Sequence, residues 1–380
     1  MTRPVYLDYN GTTPHAPEVI EAMRPFLEQE FGNPSSSHWY GIRPKQAVEA
    51  ARRQVAGLLG CHADEVLFTS GGTESNNQAL KSFGGARYGR GNHIITTAIE
   101  HPAILEVCRA LRRYGFEITV LPVDGSGLLD PQSVANALTA KTIMISVMHA
   151  NNEVGTIQPV AEIAELLRGR DILLHTDAAQ SVGKITTRVD DLGVDLLTVA
   201  GHKLYAPKGI GALYIRRGTG REIFCHGAGQ EMGLRAGTEN VLEIVGLGRA
   251  CQLAAEQLAE TGAHLQTMRD RLEQGLLAAL PDIRINGHPQ KRLPNTCSVS
   301  FRGLEANRIL EEIGLEVAAS AGAACHADHV QISHVLEAMQ VPPDWAKGTL
   351  RFTTGRMTTT EEIDHALQSI ISAFRRLRPS

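Results

Sequence analysis

Seven short apolar runs constrain this chain more than any other feature. They read "EVLFTS", "HIITTA", "EITVLP", "TIMISVMH", "DILLHTD", "DLLTVAG" and "GALYIRR". Between most of them lie segments with apolar residues three and four apart, such as "HPAILEVCRALRRYG" and "PVAEIAELLRGR", which is the period of an amphipathic helix. Two more such segments, "APEVIEAMRPFLEQEF" and "PKQAVEAARRQVAGLLG", precede the first run. The runs lack the apolar–polar alternation of a half-exposed sheet, so both faces need cover, and helices between parallel strands provide it. An α/β fold with a mostly parallel central sheet is therefore expected. From about Glu243 a long amphipathic stretch continues to Pro281. After it the pattern changes to two strand candidates, "NTCSVSFRG" and "GTLRFTTG", with helices between them. They point to a smaller α+β C-terminal domain.

At 380 residues the chain has room for about two domains. Its net charge of −4, with no long run of either sign, argues against a nucleic-acid or anionic-membrane surface. The N-terminus "MTRPVYLDYNGTTPH" has no apolar signal region, and no run approaches the roughly 20 apolar residues of a membrane helix. The six cysteines are scattered without a C-x-x-C pair, which reads as reduced thiols in a cytoplasmic protein.

Two stretches of the large domain carry chemistry. In "FTSGGTESNNQALKSF" a strand runs through Gly71 and Gly72 into a helix opening at Thr73. Glycines allow close backbone approach, and a helix start offers free N–H donors, so a phosphate would suit this turn; strand–Gly–Gly–helix is also ordinary turn punctuation. In "LLHTDAAQSVGK" and "LLTVAGHKLYAPKGIGAL", Asp177 ends one strand and Lys203 follows the next. Singly these read as a helix-capping aspartate and a surface lysine. Together with the phosphate turn they point to pyridoxal 5′-phosphate (PLP), the lysine forming a Schiff base and the carboxylate keeping the ring nitrogen protonated. Further on, "VAASAGAACHADHVQISH" sets Cys325 among small residues. A flexible backbone is a poor place to bury a structural thiol, and metal ligand, disulfide half, packing residue or nucleophile all stay open. A site made of Cys325, His326, His329 and His334 fits no familiar zinc spacing.

The motifs "YLDYNGTTP", "FGNPSSSH", "FTSGGTESNN", "IEHPAI", "HANNEVGTIQP", "HTDAAQ", "GHKLYAPKGIGALYIRRG", "GLRAGTEN", "SAGAACH" and "LRFTTGRMTT" resemble, in this order, those of the cysteine desulfurases. These are the NifS/IscS type within the class V aminotransferase group of fold-type I PLP enzymes. The resemblance implies an aspartate-aminotransferase-like large domain over residues 15–255. It also implies a small domain built from 1–14 and 256–380, and a homodimer with active sites at the subunit interface.

Carried over position by position, the resemblance implies a role for each site residue. Lys203 matches the Schiff-base lysine, Asp177 the partner of the ring nitrogen, and Gln180 the donor to the ring's phenolic oxygen. His101 matches the imidazole stacked on the ring. Gly72, Thr73 and His202 match the phosphate turn and its ligands, and Thr238 the phosphate ligand given by the partner subunit. Asn152 and Arg351 match the groups that hold the substrate carboxylate, a task that suits a planar guanidinium. Cys325 matches the mobile nucleophile that takes the sulfur of L-cysteine as a persulfide, leaves L-alanine and hands the sulfur to an acceptor protein.

Two departures stand out. Ala200 precedes Gly201-His202-Lys203 where many desulfurases have serine, and the loop reads "SAGAACHADH". In both places the sequence is more similar to selenocysteine lyases, which makes release of selenium and alanine from L-selenocysteine the alternative activity. The chain also ends at Ser380 soon after its last helical stretch, without the tail by which iron–sulfur-assembly desulfurases dock their scaffold.

Overall fold

Each of the seven apolar runs forms one strand of a single sheet in the computed structural model. The structure describes residues 3–220, 222–326 and 329–378, with the backbone alone for 323–326 and 329–331. Strand β1 (Val5–Tyr6) stands apart from this sheet. The sheet comprises β2 (Val66–Thr69), β3 (His93–Thr97), β4 (Glu117–Leu121), β5 (Thr142–Ser146), β6 (Leu173–Asp177), β7 (Leu196–Ala200) and β8 (Gly211–Ile215). Their order is β2-β8-β7-β6-β5-β3-β4.

Successive strand residues point to opposite faces, and here both faces are apolar. Ile95, Ile145, Leu174, Leu197 and Tyr214 enter one core with α1 (Pro17–Glu28), α2 (Trp39–Leu59) and the first half of the long helix Val241–Ala279. Their chain neighbours Ile94, Met144, Leu173, Leu196 and Tyr214's neighbour Leu213 enter a second core with the helix Pro102–Arg112. That double burial is why the runs show no alternation. Helix α2 begins at Trp39, earlier than the spacing from Pro44 predicts, because the apolar Trp39, Tyr40 and Ile42 of its first turn face outward and add nothing to the buried stripe.

Only β8 runs against the other strands. Residues 201–210 alone separate it from β7, fewer than the dozen or so a parallel crossover needs, so the chain turns straight back. The other strands deliver their carboxyl ends to one edge, where open α/β sheets bind ligands.

Beyond the long helix come β9 (Ile283–Asn286), β10 (Thr296–Phe301), β11 (Val317–Ala318), β12 (Ser320–Ala321), β13 (Ala323–His326), β14 (His329–Ile332) and β15 (Thr349–Thr353). An antiparallel sheet in the order β12-β15-β10-β9 contains the two expected strands, β10 and β15. Strands β9 and β12 are too short and mixed in character to be read from sequence. Met268, Leu272 and Leu276, one turn apart on the long helix, pack under this sheet with Val299, Phe301 and Phe352. At 39 residues the long helix spans about 58 Å and joins the two cores. The C-terminal helix Thr360–Leu377, capped by the Thr359–Glu362 box, closes the second core.

Strand β1 pairs in parallel with β11, and the chain then runs across the gap between the sheets. There Asn10 N donates to Thr353 Oγ1 (3.0 Å) and Asn10 Nδ2 to Thr296 Oγ1 (2.9 Å). The Cys325 segment, read from sequence as a flexible loop, has the backbone of a two-stranded hairpin: β13 pairs with β14 and Cys325 lies opposite Val330.

Candidate active site

The carboxyl ends of β2, β3, β5, β6 and β7 surround a cavity of about 240 Å³, whose wall includes Gly72, Thr73, His101, Asn152, Asp177, Gln180, His202, Lys203 and Arg351. Asp177 is the last residue of β6, and Lys203 ends the short turn Gly201–Lys203 after β7. A Cβ on Gly201 would stand 2.8 Å from Ile210 Cγ2 and 2.9 Å from the Ile210 carbonyl oxygen, so this turn requires glycine. Gly71 has φ +142°, a region that side chains avoid. It swings the chain from β2 into α3 (Gly72–Asn77), bringing Gly72 and Thr73 to the wall. The first N–H groups of a helix lack intrahelical acceptors and suit an anion.

Hydrogen bonds fix most of these side chains. Asn76 Nδ2 donates to Asp177 Oδ2 (2.7 Å) and the Ala179 N–H to Asp177 Oδ1 (3.0 Å). Gln180 Nε2 donates to the Asn10 carbonyl (3.0 Å). Lys203 Nζ donates to the carbonyls of Asn10 and Gly11, the latter at 2.7 Å. Burial, and then the nearby Arg351, pushes the Lys203 ammonium down to about 8 against the pull of Asp8 and Asp177. His101 Nδ1 accepts the Ala103 N–H (3.1 Å) at the start of the helix Pro102–Arg112. Burial holds His101 below its ordinary value, so at neutral pH its proton sits on Nε2. His202, with Nδ1 3.2 Å from Thr12 Oγ1, is pushed down to about 4 by burial and then by Lys203, Lys208 and His101.

Arg351 enters from β15. Its Nη1 donates to the Asn152 carbonyl (3.1 Å), and its Nη2 to Asp8 Oδ1 (2.7 Å) and Ser320 Oγ (3.0 Å). Its Nε is buried without a partner. A buried unpaired donor costs about 1–3 kcal/mol, which an incoming carboxylate would relieve. With helix-start N–H groups at one end and a carboxylate, an amide and a lysine around the rest, the donor set fits a flat, anionic heteroaromatic ligand.

Among the described residues, one that the sequence predicts for the site, Thr238, is not on this wall. Thr238 is exposed, in the loop before the long helix. The Cys325 side chain lies outside the described residues; its strand β13 follows closely on β12, whose Ser320 Oγ also donates to Asp8 Oδ1 (2.9 Å). After the hairpin, His334 Nε2 donates to the carbonyl of Glu100 (2.9 Å), beside His101. Sequence reasoning missed Asp8, Asn10, Gly11, Asn76 and Lys184. Asn76 had a usable signal, since it lies four residues after Gly72 and one helical turn puts both on one side. Asp8 and Asn10 lie in the motif "YLDYNGTTP", but nothing local gives either a role, because their partners Arg351 and Asn152 are 343 and 142 positions away.

A family model described as Aminotransferase class-V matches residues 5–366. The relative named Cysteine desulfurase IscS from Dictyoglomus turgidum is 47% identical over 379 residues, covering 100% of this chain and 96% of its own. The protein of the same name from Methanosarcina thermophila is 45% identical over 375 residues, covering 98% and 93%. A solved structure described as a NifS-like protein superposes with a TM-score of 0.92 at 37% identity, covering 98% and 99%.

Proposed function

This chain belongs to the class-V aminotransferase family, among its cysteine desulfurases, and from that premise we propose that its cavity holds PLP and that Cys325 carries away the sulfur. The enzyme converts L-cysteine to L-alanine. The observation that carries the site assignment is that one cavity of about 240 Å³ draws Lys203, Asp177, Gln180, His101 and Arg351 from sequence positions as far apart as 101 and 351.

When bound, PLP supplies an electron sink beside the substrate's Cα. Gly72, Thr73 and His202 would take its phosphate, and in a homodimer Thr238 would serve the site of the neighbouring subunit. Asp177, steadied by Asn76 and Ala179, would face the ring nitrogen, and Gln180 would donate to the phenolic oxygen. His101 would cover the ring. Arg351, through its free Nε, and Asn152 hold the substrate carboxylate. The Lys203 amine, pushed down to about 8, is poised to take a proton from Cα and return one, because its proton affinity lies near the working pH.

The Cys325 thiolate attacks the substrate sulfur. An S–S bond forms as the Cβ–S bond breaks, the bond pair stays with carbon, and a proton completes the methyl group of alanine. Cys325 follows Ser320 by five residues, which extended chain spans in at most about 17 Å, so a hairpin rooted beside Arg351 suits the transfer. The persulfide then passes its sulfur to an acceptor protein, yet to be identified.

Borohydride reduction of the PLP-loaded protein followed by peptide mapping tests the cofactor site. The pyridoxyl group is expected on Lys203; a Lys203→Ala protein that still forms alanine from cysteine would sink the assignment. A second reading, selenocysteine lyase, is favoured by Ala200, which puts a methyl in the cavity wall 3.3 Å from where a Cβ on Gly72 would stand. Rates of alanine formation from each amino acid separate the two readings.

A further inference from the structure

Lys184, 7% exposed, does not itself line the cavity but is bonded to two residues that do, Asn10 and Gln180, and is used by nothing in the reaction as described. Burial, and then the neighbouring cations Lys203 and Arg351, hold its ammonium well below the ordinary value. A buried lysine in such surroundings costs stability that an apolar side chain would not. What it does contribute is two hydrogen bonds: Nζ donates to Gln180 Oε1 (2.8 Å) and to Asn10 Oδ1 (3.0 Å).

These two bonds decide which way an amide faces. With its hydrogens Lys184 Nζ donates, so the oxygen of Gln180 is turned toward it and Nε2 is turned away. One of the two Nε2 hydrogens goes to the Asn10 carbonyl (3.0 Å), and the other is left for the cavity whose wall Gln180 forms. Asn10 cannot drift, because it is bonded at every polar atom. Its N–H goes to Thr353, its Nδ2 to Asn152 and Thr296, its Oδ1 receives Asn295 as well as Lys184, and its carbonyl receives Lys203 as well as Gln180.

We propose that Lys184 is a positioning residue for the cofactor: by holding the oxygen of Gln180 and the side chain of Asn10, it presents a fixed N–H donor of Gln180 to the ring's phenolic oxygen. This rests on the reading of Gln180 given above. A donor at that oxygen withdraws negative charge that would otherwise hold the chromophore's proton, so the bound cofactor loses its proton at lower pH when the donor is in place.

The test is the absorbance of PLP-loaded protein titrated against pH. Gln180→Leu is expected to raise the midpoint by about one pH unit, a tenfold change in proton affinity. Lys184→Met is expected to raise it in the same direction and to add nothing further in the Gln180→Leu background, as coupled residues do. Lys184→Gln, which returns an N–H donor without the charge, brings the midpoint back to wild type. If Lys184→Met does not fold, Lys184→Gln against Gln180→Leu carries the comparison, and a Lys184→Gln midpoint displaced as far as that of Gln180→Leu overturns the donor role. A Lys184→Met midpoint at wild type while Gln180→Leu moves overturns the proposal and leaves the PLP site standing. Additive shifts overturn it too, because they mean that the lysine charge acts on the cofactor directly. A midpoint unmoved by Gln180→Leu itself overturns the placement of Gln180, and the proposal with it.

Discussion

Replacing Arg351 with lysine keeps the charge and removes the fork. In the present arrangement Nη1 is spent on the Asn152 carbonyl and Nη2 on Asp8 and Ser320, leaving Nε for substrate. A lysine has one nitrogen for all three tasks, and Asp8 is the strongest local competitor for it. Losing one charge-assisted hydrogen bond to the substrate carboxylate costs about 1.5–3 kcal/mol, or roughly ten- to hundredfold in binding. Because that carboxylate does not change during the reaction, the loss falls on KM and leaves kcat nearly untouched. Steady-state alanine formation against L-cysteine concentration reads both constants, and the absorbance of bound PLP reports an intact cofactor site. A KM within about twofold of wild type with a collapsed kcat would show that Arg351 acts on the chemical step, refuting its role as a carboxylate holder.

Two further outcomes are expected. Glu100 is buried and accepts from Thr97 Oγ1 (2.7 Å) and the Met148 N–H (2.9 Å), and burial pushes its carboxyl up from 4.5 to about 8. The folded protein therefore keeps a proton that the unfolded chain releases above pH 4.5. This group's contribution to stability thus falls as pH rises toward 8, by up to about 1.4 kcal/mol per unit. Glu100→Gln should flatten that part of the Tm–pH curve, and parallel curves for the two proteins would contradict the shift. In a heterodimer of a Lys203→Ala subunit with a Thr238→Ala subunit, a loop acting across the interface leaves one site whole. Activity near half that of wild type is then expected, whereas a loop serving its own subunit leaves neither site whole and abolishes activity.

The sheet was legible because burial on both faces writes continuous apolar runs, and the long helix because apolar residues recur at helical spacing in both of its halves, Ile244 to Leu253 against one core and Met268 to Leu276 against the other. The reversed direction of β8 was not legible from its composition, since "GALYI" is as apolar as its parallel neighbours; only the short connection from β7 hints at it. Strands β9 and β12 escaped because the alternation of "IRIN" lasts only four residues and "SA" only two, too short to stand out. In the site, Lys203, Asp177 and Arg351 announce themselves through local motifs. Asn10 does not, since its role consists of bonds to residues between 142 and 343 positions away, among them Asn152 and Thr353. Lys184 follows Gln180 by four residues, a spacing that brings two side chains of a turn together, but nothing in the sequence says that both are buried.

The central claim is that sulfur leaves cysteine on Cys325. The rival thiols differ sharply in what they offer: Cys108, Cys251 and Cys297 are buried and Cys225 is exposed, and burial pushes the thiols of Cys61 and Cys108 up to about 12, far from the thiolate that attack requires. The PLP-loaded protein, exposed briefly to L-cysteine without reductant and digested, is read by mass spectrometry for added sulfur. One extra sulfur on the peptide that contains Cys325, absent from a Cys325→Ser protein that still binds PLP, is the expected result; an extra sulfur on the exposed Cys225, or one that persists in Cys325→Ser, contradicts it.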